Sequence, residues 1–155
     1  MATLHLMVGL PCSGKTTLAR QLEIERSALR LTPDEWHLRL FGQDVMEPAH
    51  NARHDLIEAL LWDLAACALV LGTNVILDFG FWSREEREDF RSRAKRLGAS
   101  SEVHFLEVTK EELLRRSAAR NMERTDGVFH IPVELMRSWL TLFQAPTPDE
   151  LVRRD

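Results

Sequence analysis

The apolar positions of the chain follow two different rhythms. Leu4 to Val8 is a mostly apolar run ended by Gly9, the pattern of a strand buried on both faces. Lys15 to Glu25 then reads as a helix, and Ala28 to Leu31 predicts a second, short strand. It leads into Thr32-Pro33-Asp34-Glu35, where Thr32 can cap a helix and Pro33 can occupy its first turn. That helix runs through Leu40 and closes near Gly42. From Pro48 to Leu71 the residues Leu56, Ile57, Leu60, Leu61, Leu64, Ala65 and Ala68 recur at helical spacing, with Gly72 just beyond as a C-terminal cap. Asn74 to Asp78 predicts another buried strand, and Ser83 with Glu86 supplies a capping box for a helix to Leu97. Glu102 to Val108 predicts a further strand, and Thr109 with Glu112 repeats the capping pattern ahead of a helix to about Asn121. Met122 to Ile131 reads as a mobile segment and Pro132 to Phe143 as the last helix. The remaining QAPTPDELVRRD is a proline-rich tail with little room for another full strand.

Strands that alternate with helices imply a parallel sheet covered on both faces, because each parallel return needs a crossover. Right-handed crossovers bring ligands to the carboxyl ends of the strands. At 155 residues the chain is expected to form one domain, residues 1–155. Hydrophobic residues at 45% and charged residues at 28% fit a globular protein. No apolar run approaches the roughly 20 residues of a membrane span, and no secretory signal pattern opens the chain. A cytoplasmic location is the expectation. Cys12 and Cys67 stand in unrelated contexts and predict neither a disulfide framework nor a zinc site. A formal charge of −4 gives no global attraction for nucleic acid, although a local basic cleft stays compatible with it.

The carboxyl end of the first strand carries the strongest chemistry. Gly9-Leu10-Pro11-Cys12-Ser13-Gly14-Lys15-Thr16 matches G-x-x-x-x-G-K-[ST] between a strand and a helix. Glycines there let backbone N–H groups wrap phosphates, the helix N-terminus favours negative charge, and Lys15 sets a cation against the transferable phosphate. Gly9, Pro11, Cys12, Ser13, Gly14, Lys15, Thr16 and Thr17 are the predicted nucleotide contacts, and Thr16 is a candidate magnesium ligand. Cys12 sits where a helix N-terminus lowers thiol pKa, but with no histidine partner nearby it reads as a loop filler.

Four stretches, GLPCSGKTT, LTPDEWHLRLFG, NVILDFGFWSREERE and RRSAARN, together resemble the P-loop kinase-like proteins often labelled predicted kinases or AAA-type ATP-binding proteins. More distantly the chain is similar to phage polynucleotide kinase, chloramphenicol phosphotransferase and zeta-toxin kinases. The resemblance spans most of the chain. It implies a P-loop NTPase three-layer sandwich with strand order 2-3-1-4, a small helical lid at about residues 116–131, and ATP with magnesium as cofactors. Many such proteins place another strand after the lid, which leaves a sheet of four or five strands open here.

Phosphoryl transfer is mostly positioning and charge neutralisation, so a base, a metal partner and arginines are the residues to seek. The resemblance implies that Asp34 is the base; the local alternative is a helix-start acid that serves the backbone dipole. Glu35 is the weaker base candidate, and Arg39 either holds substrate or lies on a solvated face. In the strand order that the resemblance implies, Asp78 ends its strand beside the first one, near Thr16, as a metal partner, an acceptor contact or a cap for DFGFWS. Its Asp-Phe-Gly spelling lacks the other protein-kinase motifs. Arg84 opens a helix after Phe81 and Trp82, which line an acceptor pocket or belong to the core. Arg116 and Arg120 share a helix face leading into the lid and are candidates for bridging ATP phosphates, with Arg124 in reserve. Glu112 precedes Arg116 at pairing distance, so surface pairing competes for that residue. Thr125-Asp126-Gly127 is a turn that lets the lid open. His50 and His54 lie one helical turn apart without a visible third ligand and are assigned no metal.

The expected function is transfer of the γ-phosphate of ATP to a hydroxyl of an unidentified small-molecule or nucleotide-type acceptor. A polynucleotide 5'-hydroxyl kinase and a nucleotide-sensing module without kinase activity are the alternatives. The missing Asn-Lys-x-Asp motif argues against a GTPase switch. The length leaves no room for the extra helical domain of an AAA+ motor.

Overall fold

The computed structural model describes residues Met1 to Asp155. Its elements are β1 (Thr3–Val8), α1 (Lys15–Glu25), β2 (Leu29–Leu31), α2 (Pro33–Phe41), α3 (His50–Val70), β3 (Val75–Gly80), α4 (Arg84–Arg96), β4 (Ser100–Phe105), α5 (Lys110–Glu123) and α6 (Val133–Leu142). A 3₁₀ turn, Pro148–Leu151, closes the chain. The four strands form one parallel sheet in the order β2-β3-β1-β4, with Leu4 opposite Val75 on one side and Ser101 on the other. This is a P-loop NTPase fold, and the open strand number resolves to four.

β1 is central and all six of its residues are buried, as its unbroken apolar pattern requires. The alternation along the strand then divides the core. Leu4, Leu6 and Val8 face one layer with Ile57, Leu61 and Ala65 of α3 and Phe90 and Ala94 of α4. Met7, with Ile76 of β3, meets Ala19 and Leu22 of α1 on the other face. A third cluster of Leu10, Cys12, Leu113, Phe129, Ile131 and Met136 packs the α5–α6 unit against the glycine loop. No helix is long and apolar enough to cross a membrane.

Several boundaries differ from expectation. β4 ends at Phe105 rather than Val108, because Thr3 to Val8 supplies partners only for Ser100 to Phe105. On α3 the stripe of Ile57, Leu61 and Ala65 is buried, whereas Leu56, Leu60 and Leu64 are exposed. A helix resting on one sheet face buries a single stripe, and the second leucine row points away from it. Thr32 makes no capping hydrogen bond to α2, since its hydroxyl is engaged elsewhere. The other two predicted caps form: Ser83 Oγ accepts from the Glu86 N–H and Thr109 Oγ1 from the Glu112 N–H.

The tail is fastened by buried arginines. Arg87 is fully buried; its Nε donates to Glu150 Oε1 at 2.7 Å and its Nη1 to the carbonyls of Phe81 and Gln144. Arg91 donates to the carbonyls of Glu150 and Val152, and Arg154 bridges Ser101 antiparallel at the β4 edge. A single bridge replaces any fifth strand.

Removing one member of a buried ion pair leaves the other charge uncompensated, at a cost of about 3–5 kcal/mol. Glu150→Gln is therefore expected to lower the unfolding free energy by about 3 kcal/mol in urea titrations. Asp149→Asn, whose exposed carboxylate meets Arg84 and the Thr147 hydroxyl and not the buried arginines, is the control and should change little. Equal, small effects in both variants would remove the tail clamp from the stability of the fold.

Candidate functional site

The end of β1 turns sharply into the glycine loop. Gly9 N donates to the Gly80 carbonyl at 2.9 Å, and a Cβ at Gly9 would collide with Ser13 Oγ. Cys12 and Gly14 both adopt left-handed backbone, φ 71° and 90°, which curls the loop before α1 begins at Lys15. α1 has no side-chain cap and no acid in its first turn. Its leading N–H groups and positive dipole end are thus left for an anion. Ser13 Oγ is buried without a hydrogen-bond partner. An orphaned hydroxyl inside a loop of this curvature suits phosphate oxygens.

Asp78 gathers the neighbouring strands. Its side chain is fully buried; Oδ1 receives Lys15 Nζ at 3.2 Å, while Oδ2 receives Thr16 Oγ1 at 2.7 Å and Thr32 Oγ1 at 3.0 Å. The register explains this meeting, since Leu31 pairs with Leu77 and the next residues, Thr32 and Asp78, emerge side by side. Arg30 Nη1 in turn donates to Thr32 Oγ1 at 2.6 Å. Burial alone would lower the Lys15 pKa, but Asp78 and Asp34 outweigh it and hold the ammonium above its ordinary value. Thr16 and Asp78 offer adjacent oxygen donors, the chemistry a magnesium ion accepts alongside phosphates and water.

Two cavities meet at Lys15 and Asp34. The larger, about 900 Å³, runs along Gly14, Thr16 and Thr17 and carries Arg20, Arg30, Arg39 and Arg120 on its walls. The smaller, about 410 Å³, opens between α3, β3 and the α6 region. Pro11, Lys15 and Asp34 line both. Thr125, Asp126 and Gly127 border the larger cavity.

The predicted residues separate into three groups. Lys15, Thr16, Asp34 and Asp78 converge, and Arg39 and Arg120 face the larger cavity. Arg116 lines neither cavity; it pairs with Glu112 at 2.9 Å and donates to the Cys12 carbonyl at 3.0 Å, so it braces the loop. Arg84 lines neither cavity: its guanidinium pairs with Asp149 at 2.7 Å and donates to Thr147 Oγ1, so it points to the tail while its neighbours Trp82 and Glu86 border the smaller cavity. Phe81 and Trp82 serve both readings. Phe81 is buried in the main core, Trp82 packs on Trp139, and both line the smaller cavity. Glu35 is paired with Arg20 and Arg30. Burial pushes the Cys12 thiol up despite Arg120, Arg116 and Lys15, which disfavours a thiolate there.

A histidine network behind Asp34 escaped the sequence reading. Buried Asp44 receives His37 Nε2, His50 Nδ1 at 2.6 Å and Arg53 Nη1 at 2.8 Å. His37 Nδ1 meets His54 Nδ1 at 3.0 Å, and His54 Nε2 lies 3.4 Å from Glu58 and 3.7 Å from Asp34. The sequence spacing of His50 and His54 was visible, but Asp44 and His37 reach them only through the loop after α2. His37, Asp44 and His50 have ligand-like proximity. The Arg53 guanidinium already occupies Asp44, an arrangement suited to an ion-paired network more than to a cation.

The AAA domain family model AAA_33 matches residues 4–146. The chain belongs to this P-loop kinase-like family. None of the curated proteins compared matches it. Among solved structures it is similar to a chain of the Pnkp1/Rnl/Hen1 RNA repair complex, with 27% identity and a TM-score of 0.73, over 91% of this chain. It spans only 43% of that protein. It is also similar to Kti12 of Chaetomium thermophilum, solved with ADP-AlF3, at 24% identity and TM-score 0.72 over 94% of this chain and 82% of that one. A gluconokinase from Sinorhizobium meliloti shares 18% identity and a TM-score of 0.66 over 97% and 79% of the two chains. The last two likenesses concern the fold.

Burial disfavours the His54 imidazolium, but Glu58, Asp34 and Asp55 outweigh it and raise its pKa above the ordinary 6.5. A raised histidine contributes stability that is whole below the unfolded pKa and is lost as pH rises through the native one. The stability difference between wild type and His54→Asn is thus expected to be largest at about pH 6 and to shrink toward pH 9, by urea titration. A difference that grows with pH would contradict the placement of His54 between Glu58 and Asp34.

Proposed function

We propose that the chain is an ATP-dependent phosphotransferase that moves the γ-phosphoryl group of ATP to a hydroxyl of a small molecule. The observation that carries this reading is that Lys15 and Asp34 are the two charged side chains common to both cavities. One cavity has the cationic walls an ATP polyphosphate needs. The other approaches the same lysine and carboxylate from the opposite side.

In this reading the acceptor hydroxyl gives its proton to Asp34 as its oxygen bonds to the γ-phosphorus. The bond from that phosphorus to the β–γ bridging oxygen breaks, and ADP leaves. Lys15 balances charge gathering on the transferred oxygens. Magnesium, held by Thr16 and Asp78, would add charge neutralisation on the phosphates. Arg120 and Arg39 steady the polyphosphate, and Arg116 keeps the loop in shape through the Cys12 carbonyl. His54 stands behind Asp34, its Nε2 3.7 Å from the carboxylate. A cytoplasmic setting suits an ATP donor.

A second reading, a polynucleotide 5'-hydroxyl as acceptor, draws support from the likeness to the RNA repair complex. Steeply salt-dependent oligonucleotide binding would favour it.

Loss of a general base costs about 10²–10⁴ in rate. Asp34→Asn is expected to reduce acceptor-dependent ADP formation at least 100-fold with the ATP dissociation constant changed less than threefold, whereas Lys15→Ala weakens both. Undiminished turnover in Asp34→Asn would sink the base assignment. ATP occupancy with no ADP from any alcohol, nucleoside or 5'-hydroxyl oligonucleotide would sink the phosphotransferase.

A further inference from the structure

The inference rests on the phosphotransferase reading and names the class of acceptor. The two cavities differ sharply in charge. The donor side carries Arg20, Arg30, Arg39 and Arg120 besides Lys15. The acceptor side has no arginine; besides Asp34 it is lined by Asp55 and Glu58 of α3 and Glu86 of α4. The cationic groups that face it are Lys15, committed to Asp78, and His54, committed to Glu58 and Asp34; His50 is held by Asp44. The nearest guanidinium on α4, Arg87, is spent on Glu150. Carboxylates therefore exceed the free positive charge inside this cavity.

Glu86 bears the clearest mark of that excess. Burial first, and then the repulsion of Glu58, push its carboxyl up to about 7. Two carboxylates converging from α3 and α4 onto open space repel each other unless a cation stands between them. Aromatic side chains, among them Trp82 and Trp139, share the rest of the wall with Val45, Ile131 and Leu142. Aromatic faces attract ammonium groups and stack on the C–H faces of sugar rings. A cavity of about 410 Å³ lies within the size range of small-molecule sites, roughly 300–1,000 Å³. The acids do not make this a site; its junction with Lys15 and Asp34 does. They set the charge of what enters.

We propose that the acceptor is an ammonium-bearing polyol, of the amino sugar or aminocyclitol class, with its ammonium between Glu58 and Glu86, its ring against Trp82 and Trp139, and a hydroxyl at Asp34. That hydroxyl becomes the phosphate ester, its proton passes to Asp34 and ADP departs. Carboxylate-bearing sugars and nucleic acids meet like charge and are rejected.

The test is a charge series at nearly constant shape. Glucosamine and 2-deoxystreptamine supply cations, N-acetylglucosamine a neutral ring, gluconate an anion, and a 5'-hydroxyl oligonucleotide a polyanion. ADP formation and phosphorus NMR of the product are measured with ATP and magnesium on the full chain. The expected result is a kcat/KM for at least one amine tenfold or more above N-acetylglucosamine, with no turnover of gluconate. In the double variant Glu58→Gln, Glu86→Gln that ratio should collapse toward one. Equal rates for amine and N-acetyl forms, or a preference for gluconate or oligonucleotide, overturn the amine assignment and leave the phosphotransferase standing. An amine preference that survives the double variant overturns the assignment to Glu58 and Glu86. No ADP from either amine, with ATP bound, overturns the amine assignment, and the phosphotransferase falls with it only when the wider set of alcohols and nucleosides is inert as well.

Discussion

The buried carboxylate of Asp78 is the point on which the site depends. It accepts from Lys15 and Thr16 of the glycine loop and from Thr32 at the end of β2, so three segments distant in sequence are fixed by one acid. A fully buried carboxylate is tolerable only with such partners. The parallel order β2-β3-β1 brings all three strand ends to one edge of the sheet, where Asp78 can hold them. Fold and site are for this reason hard to separate: register between β2 and β3 decides whether Thr32 can reach, and the turn at Gly9 decides whether Lys15 can.

Around that hub the charges sort by side. Arginines from α1, β2, α2 and α5 collect where a polyanion would lie, and acids from α3 and α4 collect beyond Asp34. This is an economical use of the doubly covered sheet, since helices from opposite faces contribute to opposite walls of one cleft. The tail completes the frame by tying α4 in place through Arg87 and Arg91.

Much of this was legible in the chain itself. The strand rhythm, the glycine loop and the two Ser and Thr caps depend on residues a few positions apart, and local spacing conveys them directly. The meeting of Thr16 with Asp78 followed from the strand order that the family resemblance implies, not from local spacing. What escaped were contacts made by long-range packing. Thr32 looked like a cap because its sequence neighbours favour one, yet an acid across the sheet competes successfully for its hydroxyl. Arg84 looked like a cleft residue because it follows Trp82, but the tail, unreadable as a partner from sequence, claims it. The His37–Asp44–His54 network needs a loop to fold back before its members meet, and no periodicity announces that.

The bond from Arg116 to the Cys12 carbonyl has a mechanical meaning. It rivets the first half of α5 to the glycine loop, so that half cannot swing without dragging the phosphate cradle along. Beyond this rivet α5 runs about two more turns and ends where Arg124 takes left-handed backbone. Arg120, one helical turn past the anchor, therefore takes its place on the wall of the larger cavity from a helix that the glycine loop itself holds in position.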